Sequence, residues 1–532
     1  MIWVRFPGVI PVLTADEMRR ADRHAIDGVG LPGALLMENA GAAVARLVAE
    51  RFPHARDVVV LCGRGMNGGD GFVIARRLGS IAEALLLARK DAVAGDARLH
   101  LEACQRSGGR IREVPDAEAW RAAERRVAEA DVAIDAVLGT GLRKAPTGLA
   151  ALAIDALRER HAHGRPVVAV DLPSGVSADS GVLEWKTARA ALTVTFAAAK
   201  RGHVLPPACH EMGELVIADI GIPPASMDTA QPTLFLLEDA DAAAAFPRRE
   251  RGAHKGAFGH LLIVAGSIGK TGAAVLAATG ALRSGVGLVT IATPAPCLPI
   301  VAAARPEPMT EPLAVTGAGG LDPAGLARLL ALAAERDAVV IGPGLGQDPG
   351  TRELVRAFVA ACPVPLVIDA DGINALAANG REARASLGRE APTILTPHPG
   401  EMARLVGRST AELQRDRPGA ACGLARETGA IVVLKGERTL VAEPAGRAAV
   451  VPGGNPGMAT GGTGDVLSGV AGSLAARHGA LLAATAAAYV HARAGDLAAA
   501  ERGEEGMTAG DLAEALPQAI ERIRGGAPSA RS

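Results

Sequence analysis

Short apolar runs alternate along this chain with longer stretches whose apolar residues recur every three or four positions. In the first part the runs fall at 57–62, 84–88, 132–138, 167–171, 192–196 and 215–218; in the second they fall at 261–265, 288–292, 338–341, 366–369, 393–395 and 431–434. A continuous run suits a strand buried on both faces, and the intervening period suits an amphipathic helix. Strand and helix in alternation predict parallel, doubly wound sheets, two of them here. Before the first run, residues 14–50 read as helix, opened by a Thr14/Glu17 capping box and interrupted at Gly28, Gly30 and Pro32-Gly33. Between the two series the chain changes character from Pro223 to Glu250, with prolines and acids running into the basic RRER (248–251); 226–250 reads as a linker and RRER as a solvated turn. The resulting division is 1–225, a linker at 226–250, and 251–525.

Composition narrows the class. At 532 residues the chain has room for two domains. Apolar residues make up 49% and aromatics only 2%, so the cores are built from Ala, Val and Leu. A net charge of -1 with no long basic run leaves no electrostatic footprint for nucleic acid. Six scattered cysteines form no CxxC pair, which predicts a reduced, cytoplasmic setting without structural zinc. Neither a secretory signal nor a membrane span is expected, and 525–532, GGAPSARS, reads as a disordered tail.

The chemistry concentrates where strands end, which is where such sheets bind ligands. The richest stretch is PGGNPGMATGGTGDVLSG, 452–469, with six glycines before Asp465 and an apolar helical run after it. Glycines let a ligand approach backbone amides, and a helix start offers unpaired N–H groups to an anion. Asp465 at the edge of such a cradle reads as a general base for a hydroxyl meeting a phosphoryl group; the competing reading is a helix N-cap. In the first half, CGRGMNGGDG contains GxGxxG at Gly63, Gly65 and Gly68, and NGGDG opens a helix with Asn67 and Asp70. Asp135 lies inside an apolar strand, where it requires a cation, a base role or hydrogen bonds. GTGLRKAPTG (139–148) reads as a second phosphate loop, DLPSG (171–175) ends another strand, and these ends could converge on one cation. Lys200, in AAAKRG, is a weaker site candidate, with a solvated lysine after a strand the favoured reading. AGSIGKTG fails the P-loop spacing, so Lys270 is not a phosphate lysine of that class. GPGLG, DADGINAL, TPHPGEM and KGERT complete a crevice in the second half.

These motifs carry a resemblance. MRRADRHAI, LMENAG, NGGDG, DAVLGTGL, DLPSGVSADSG, TFAAAKRG and ADIGIP make the first half similar to NAD(P)H-hydrate epimerase domains, with a Rossmann-like fold. HKGAFGHLLIVAGS, LRSGVGLVT, GPGLG, DADGINAL, TPHPGEMARLVG, VLKGERT and NPGMATGGTGDVLSG make the second half similar to the ADP-dependent NAD(P)H-hydrate dehydratases of the ribokinase-like superfamily. The fold class implied is α/β, as two α/β/α sandwiches. The resemblance implies epimerisation of the R and S forms of hydrated NADH and NADPH. The S form is then dehydrated at the expense of ADP, by phosphorylation and elimination of the ring hydroxyl. It places potassium on Asn67, Asp135 and Ser174, and Asp135 is also a candidate acid/base. It places the first hydrated dinucleotide on Asn67, Gly68, Gly69, Asp70, Gly139, Thr140, Gly141, Leu142, Arg143, Lys144, Ala145 and Asp171. In the second half Ala273, Gly346, His398 and Asp465 take the substrate, with Asp465 the base. Lys435, Gly436, Glu437, Arg438, Thr439 and Gly464 take the nucleotide, and Asp371 and Asn374 line the pocket or help hold magnesium. Where such epimerase domains carry GPGNNGGDG, this chain has Arg64 and Met66. No membrane or nucleic-acid partner is implied, and a homo-oligomer is expected. The rival readings are a small-molecule kinase on the same fold and a binding-only first half.

Overall fold

The computed structural model describes residues 10–378, 384 and 387–525. Its contacts divide them into two units, one of Ile10–Thr233 and one from Leu234 onward. The tail at 526–532 lies outside the described residues.

In the first unit the strands are β1 (Ile10–Leu13), β2 (Val58–Cys62), β3 (Ala82–Leu86), β4 (Arg110–Glu113), β5 (Val132–Ala136), β6 (Val167–Val170), β7 (Leu192–Phe196), β8 (Ala199–Lys200) and β9 (Glu214–Ala218). The main sheet runs β4-β3-β2-β5-β6-β7-β9, parallel throughout, and β1 pairs with β8. Alternate residues of the apolar runs feed two separate cores. Val58, Val60 and Cys62 pack under helices Gly33–Arg51, Met66–Leu78 and Gly95–Arg106. Val59 and Leu61 pack with Trp120 and Leu157 on the other face. That is why the strands read as unbroken apolar runs. The Thr14/Glu17 capping box is present, and Gly28 ends a π-helical turn.

The second unit contains β10 (Leu234–Leu236), β11 (His260–Val264), β12 (Leu288–Pro294), β13 (Met309–Leu313), β14 (Ala338–Ile341), β15 (Leu366–Ile368), β16 (Thr393–Leu395), β17 (Ile431–Leu434), β18 (Leu440–Ala442) and β19 (Ala448–Val450). The order is β13-β12-β11-β14-β15-β16-β17-β18-β19-β10. It is parallel through β17, with β18 antiparallel to both its neighbours. Helices Thr271–Arg283, Thr463–Ala475, Ala480–Arg502 and Ala509–Gly525 bury an alanine-rich face on it.

The strands that pattern reading missed are the polar or very short ones. β4, RIRE, is a largely exposed edge with no apolar alternation. The segment 226–250, expected as a linker, carries structure: helix Pro224–Thr229, then β10 paired in parallel with β19, then a short helix whose Asp239 accepts from the Tyr489 hydroxyl at 2.8 Å. KGERT, at the end of β17, is the tip of the β17–β18 hairpin.

Candidate functional site

In each sheet the strand order reverses once among the central strands, between β2 and β5 and between β11 and β14. The loops leaving neighbouring strands there diverge to opposite faces and open a crevice.

In the first unit that crevice collects the expected loops. Close backbone approach explains two of the glycines: a Cβ on Gly63 would stand 2.2 Å from the Val137 carbonyl oxygen, and one on Gly68 1.8 Å from that of Gly63. The packing brings the NGGDG helix start beside the 139–145 loop, and a Cβ on Gly139 would lie 3.4 Å from Asn67 Cγ. Asn67 is buried and its Nδ2 has no hydrogen-bond partner. Asp135 is wholly buried. Its Oδ2 accepts from the Ser174 amide at 2.7 Å and its Oδ1 from the Ser174 hydroxyl at 2.6 Å, while Ser174 Oγ accepts from the Leu138 amide at 2.9 Å. Burial pushes the Asp135 carboxyl up to about 6 against the pull of those bonds. Carboxylate, hydroxyl and carboxamide oxygens, the groups Asp135, Ser174 and Asn67 carry, are hard donors of the kind that suit a cation such as potassium. With both oxygens engaged and no exposure, Asp135 has no face for a substrate proton, which disfavours the acid/base role. Thr140, Gly141, Leu142, Arg143, Lys144 and Ala145 form an open loop in which Arg143 and Lys144 are exposed.

Asp171 ends β6 and is also buried. Lys200 is not solvated as its sequence context suggested: it is 2% exposed and its Nζ donates to Asp171 Oδ1 at 2.8 Å. Nothing in the run TFAAAKRG marks that burial, because β8 is two residues long and pairs with β1, far away in the sequence.

In the second unit the ends of β11, β14, β15, β16 and β17 stand side by side in that order. Ser267 Oγ donates to the Gly344 carbonyl at 2.7 Å, and a Cβ on Gly344 would meet that of Ala273 at 2.8 Å. Gly346 N–H donates to Asp371 Oδ2 at 2.8 Å. His398 caps its own helix, with Nδ1 accepting from Gly400 N–H at 3.0 Å and Glu401 Oε2 accepting from the His398 amide at 2.8 Å. Lys435 Nζ donates to the buried Asp369 at 2.7 Å and lies 3.7 Å from Glu401, and these carboxylates hold its charge above the ordinary lysine range despite burial. The KGERT tip is held by Arg438, itself at φ 53, whose Nη1 donates to the Pro452 carbonyl at 2.6 Å. That bond ties the expected nucleotide loop to the start of the glycine-rich one.

Asp465 is the third residue of helix Thr463–Ala475, whose N-cap is Gly462 at φ 96 with no side-chain cap bond. The N-cap reading of Asp465 therefore fails. Its carboxyl is pushed up to about 7 by burial and then by Asp369, against Lys435, with Asp371 and Glu401 adding to the rise. The Asp369–Lys435 pair thus lies within electrostatic reach of it, and a Cβ on the neighbouring Gly464 would lie 3.4 Å from Lys435 Nζ. Two glycines let this helix lie against its neighbour: a Cβ on Gly469 would come 1.9 Å from the Ala277 carbonyl, and one on Gly280 2.4 Å from that of Val466. Magnesium does not fit Asp371 and Asn374 as first ligands. Asp371 already accepts from Gly346, Gln347 and, at 3.3 Å, Lys270, and the Asn374 carbonyl oxygen accepts from Arg404 Nε at 3.0 Å. Lys270 is exposed, at the N-cap of helix Thr271–Arg283. Among the described residues no helix is long and apolar enough to cross a membrane.

Known proteins resemble this chain in sequence. The family model described as NAD(P)H-hydrate dehydratase matches residues 261–518, and that described as YjeF-related protein N-terminus matches 33–202. A bifunctional NAD(P)H-hydrate repair enzyme of Moorella thermoacetica is 43% identical over 519 residues, covering 96% of this chain and 97% of that one. One of Escherichia coli is 36% identical over 512 residues, covering 95% and 93%. Among solved structures, an ADP/ATP-dependent NAD(P)H-hydrate dehydratase of Bacillus subtilis, co-crystallised with ATP and magnesium, is 32% identical and covers 54% of this chain and 98% of that one, at a TM-score of 0.47. With both family models in place and relatives alike along nearly their whole length, this chain belongs to the family of bifunctional NAD(P)H-hydrate repair enzymes.

Proposed function

We propose that the first unit epimerises hydrated NADH and NADPH at the β2/β5/β6 crevice, and that the second dehydrates the S epimer at the expense of ADP. The observation that carries this reading is Asp465: a half-buried carboxyl, poised near neutrality, third in a helix with no side-chain N-cap, and within electrostatic reach of the Lys435–Asp369 pair. A ring hydroxyl leaves poorly and phosphate leaves well. Asp465 accepts the hydroxyl proton as that oxygen takes the terminal phosphoryl group of the nucleotide. The ring nitrogen's electron pair then expels phosphate, and loss of a proton from the adjacent carbon restores the double bond.

The protein's part is positioning and charge. Amides of 462–464 receive the phosphoryl oxygens at the helix start, and Lys435 to Thr439 hold the nucleotide at the hairpin tip. Ala273, Gly346 and His398 border the ring. Magnesium, bound to the nucleotide phosphates, would neutralise part of their charge. In the first unit Asn67, Asp135 and Ser174 would hold potassium, which supplies a fixed positive charge. Gly68 to Asp70, Gly139 to Ala145 and Asp171 surround the dinucleotide.

The test mixes the purified protein with racemic NADH hydrate, with and without ADP, and follows NADH absorbance. Conversion of both epimers only when ADP is present is expected. A stable phosphorylated product without NADH would instead favour a kinase.

A further inference from the structure

Asp171 stands at φ 65, in the left-handed region that non-glycine residues seldom occupy. Contacts to both its side chain and its backbone hold it there. Lys200 Nζ donates to its Oδ1 at 2.8 Å and the Thr195 hydroxyl to the same oxygen at 2.9 Å. Lys200 Nζ also reaches Thr195 Oγ1 at 2.8 Å and the Phe196 carbonyl at 3.1 Å, which fixes the ammonium. From the other side His203 Nε2 lies 2.7 Å from the Asp171 carbonyl oxygen. Since His203 Nδ1 accepts from the Lys200 amide at 2.8 Å, the ring is neutral and donates through Nε2. Burial and the neighbouring ammonium lower the His203 pKa to about 4, so the ring stays neutral.

A buried ammonium persists only where a partner repays its lost hydration. Here the partner is a single carboxylate oxygen. Both side-chain donors converge on Oδ1, and the described hydrogen bonds leave Oδ2 open. The other charged groups facing Asp171 are Asp70, on the NGGDG helix, and Asp22, on helix Ala15–Arg23; its negative charge raises both of their carboxyls, after burial. Against burial, the Lys200 ammonium first, then its hydrogen bond and that of Thr195, keep Asp171 below the usual carboxylate range. A strained residue clamped through both backbone and side chain is a device for presenting one atom.

We propose that Lys200 is a positioning residue for epimerisation: it holds Asp171 as a fixed carboxylate whose open oxygen accepts the hydrogen bond of the ring hydroxyl on the hydrated nicotinamide. This rests on the reading of Asp171 as a substrate contact. Whichever bond opens during inversion, the hydroxyl has to be held in one orientation beforehand, and a carboxylate free to rotate or to take up a proton would not hold it.

The test uses the full chain and follows the R-to-S ratio of NADH hydrate without ADP. Calorimetry of the first unit's melting transition serves as the control for folding. Lys200→Met should lower kcat/KM for epimerisation roughly 100-fold, the usual effect of misplacing a reacting group. It should also raise KM and move the acid limb of the profile to higher pH, because Asp171 loses the ammonium that holds its pKa down. Lys200→Arg should recover part of the loss. Combined with Asp171→Asn, Lys200→Met should add nothing. If Asp171→Asn epimerises normally, the reading of Asp171 as a substrate contact fails. If Asp171→Asn is impaired while Lys200→Met keeps the wild-type KM, kcat and acid limb, the role of Lys200 is overturned. Should Lys200→Met fail that control, Thr195→Val carries the test, since it removes one donor at constant shape: a raised KM for epimerisation at an unchanged melting temperature supports the proposal, and an unchanged KM refutes it.

Discussion

Replacing Asp465 by asparagine separates two consequences of one carboxyl. Burial and Asp369 raise it to about 7 in the folded protein from an ordinary 3.8. Between those values the native state keeps a proton that the unfolded chain has released. The stabilisation is therefore fully present below about pH 4 and is lost as pH rises toward and through about 7. Three pKa units at about 1.4 kcal/mol each give a ceiling of about 4 kcal/mol. The group is half-buried, so solvent screening leaves on the order of 2 kcal/mol. Asparagine carries no such penalty. At pH 8.5 Asp465→Asn should be more stable than the wild type by about 2 kcal/mol, and near pH 4 the two should converge. Calorimetry of the second unit's transition should show a rise of roughly 4–8 °C at pH 8.5. Dehydration by the same variant should fall roughly a hundred- to ten-thousand-fold, the usual weight of a general base. Wild-type activity would refute the chemistry. A variant that melts lower at pH 8.5, or retains the wild-type pH sensitivity, would refute the burial argument.

Gly469→Ala should destabilise the second unit by about 1–3 kcal/mol, because its Cβ would stand 1.9 Å from the Ala277 carbonyl; dehydration should fall with it although no ligand contact is touched, as paired calorimetry and kinetics would show. Lys435→Met leaves Asp369 buried without its cation, and should cost about 3–5 kcal/mol in denaturant unfolding while raising the KM for ADP. Exchanging potassium for choline should slow epimerisation and leave dehydration unchanged, and Asp135→Asn should abolish that potassium dependence. Trp120→Ala empties a buried site in the first unit and should lower its stability by about 3–5 kcal/mol without changing dehydration at permissive temperature.

Most of the strands were legible because they are buried on both faces and so spell unbroken apolar runs. Strict alternation of apolar and polar positions plays little part: β5, β6, β7, β14, β16 and β17 are buried throughout. β4 was not legible, since an exposed edge needs no apolar residue, nor was β10, three residues long in a stretch whose prolines and acids suggested a linker. The glycine loops were legible because close backbone approach leaves a compositional mark, as at Gly63, Gly68 and Gly469. Arg438 reaching Pro452 left no such mark.

The sequence by itself determined the two α/β units, the strand ends that carry the loops, and the residue types available there, since burial on both faces and tight turns each restrict which amino acids can stand at a position. Only the tertiary structure decided which charges meet. Lys200 is an ordinary lysine until β8 turns it inward onto Asp171, and Asp465 is an ordinary first-turn acid until β15 and β17 bring Asp369 and Lys435 beside it. The reason is that charge interacts through space while pattern is read along the chain: residues far apart in sequence have no local signal of their meeting, and the low polarity that makes the meeting matter arises only when the helices close over the sheet.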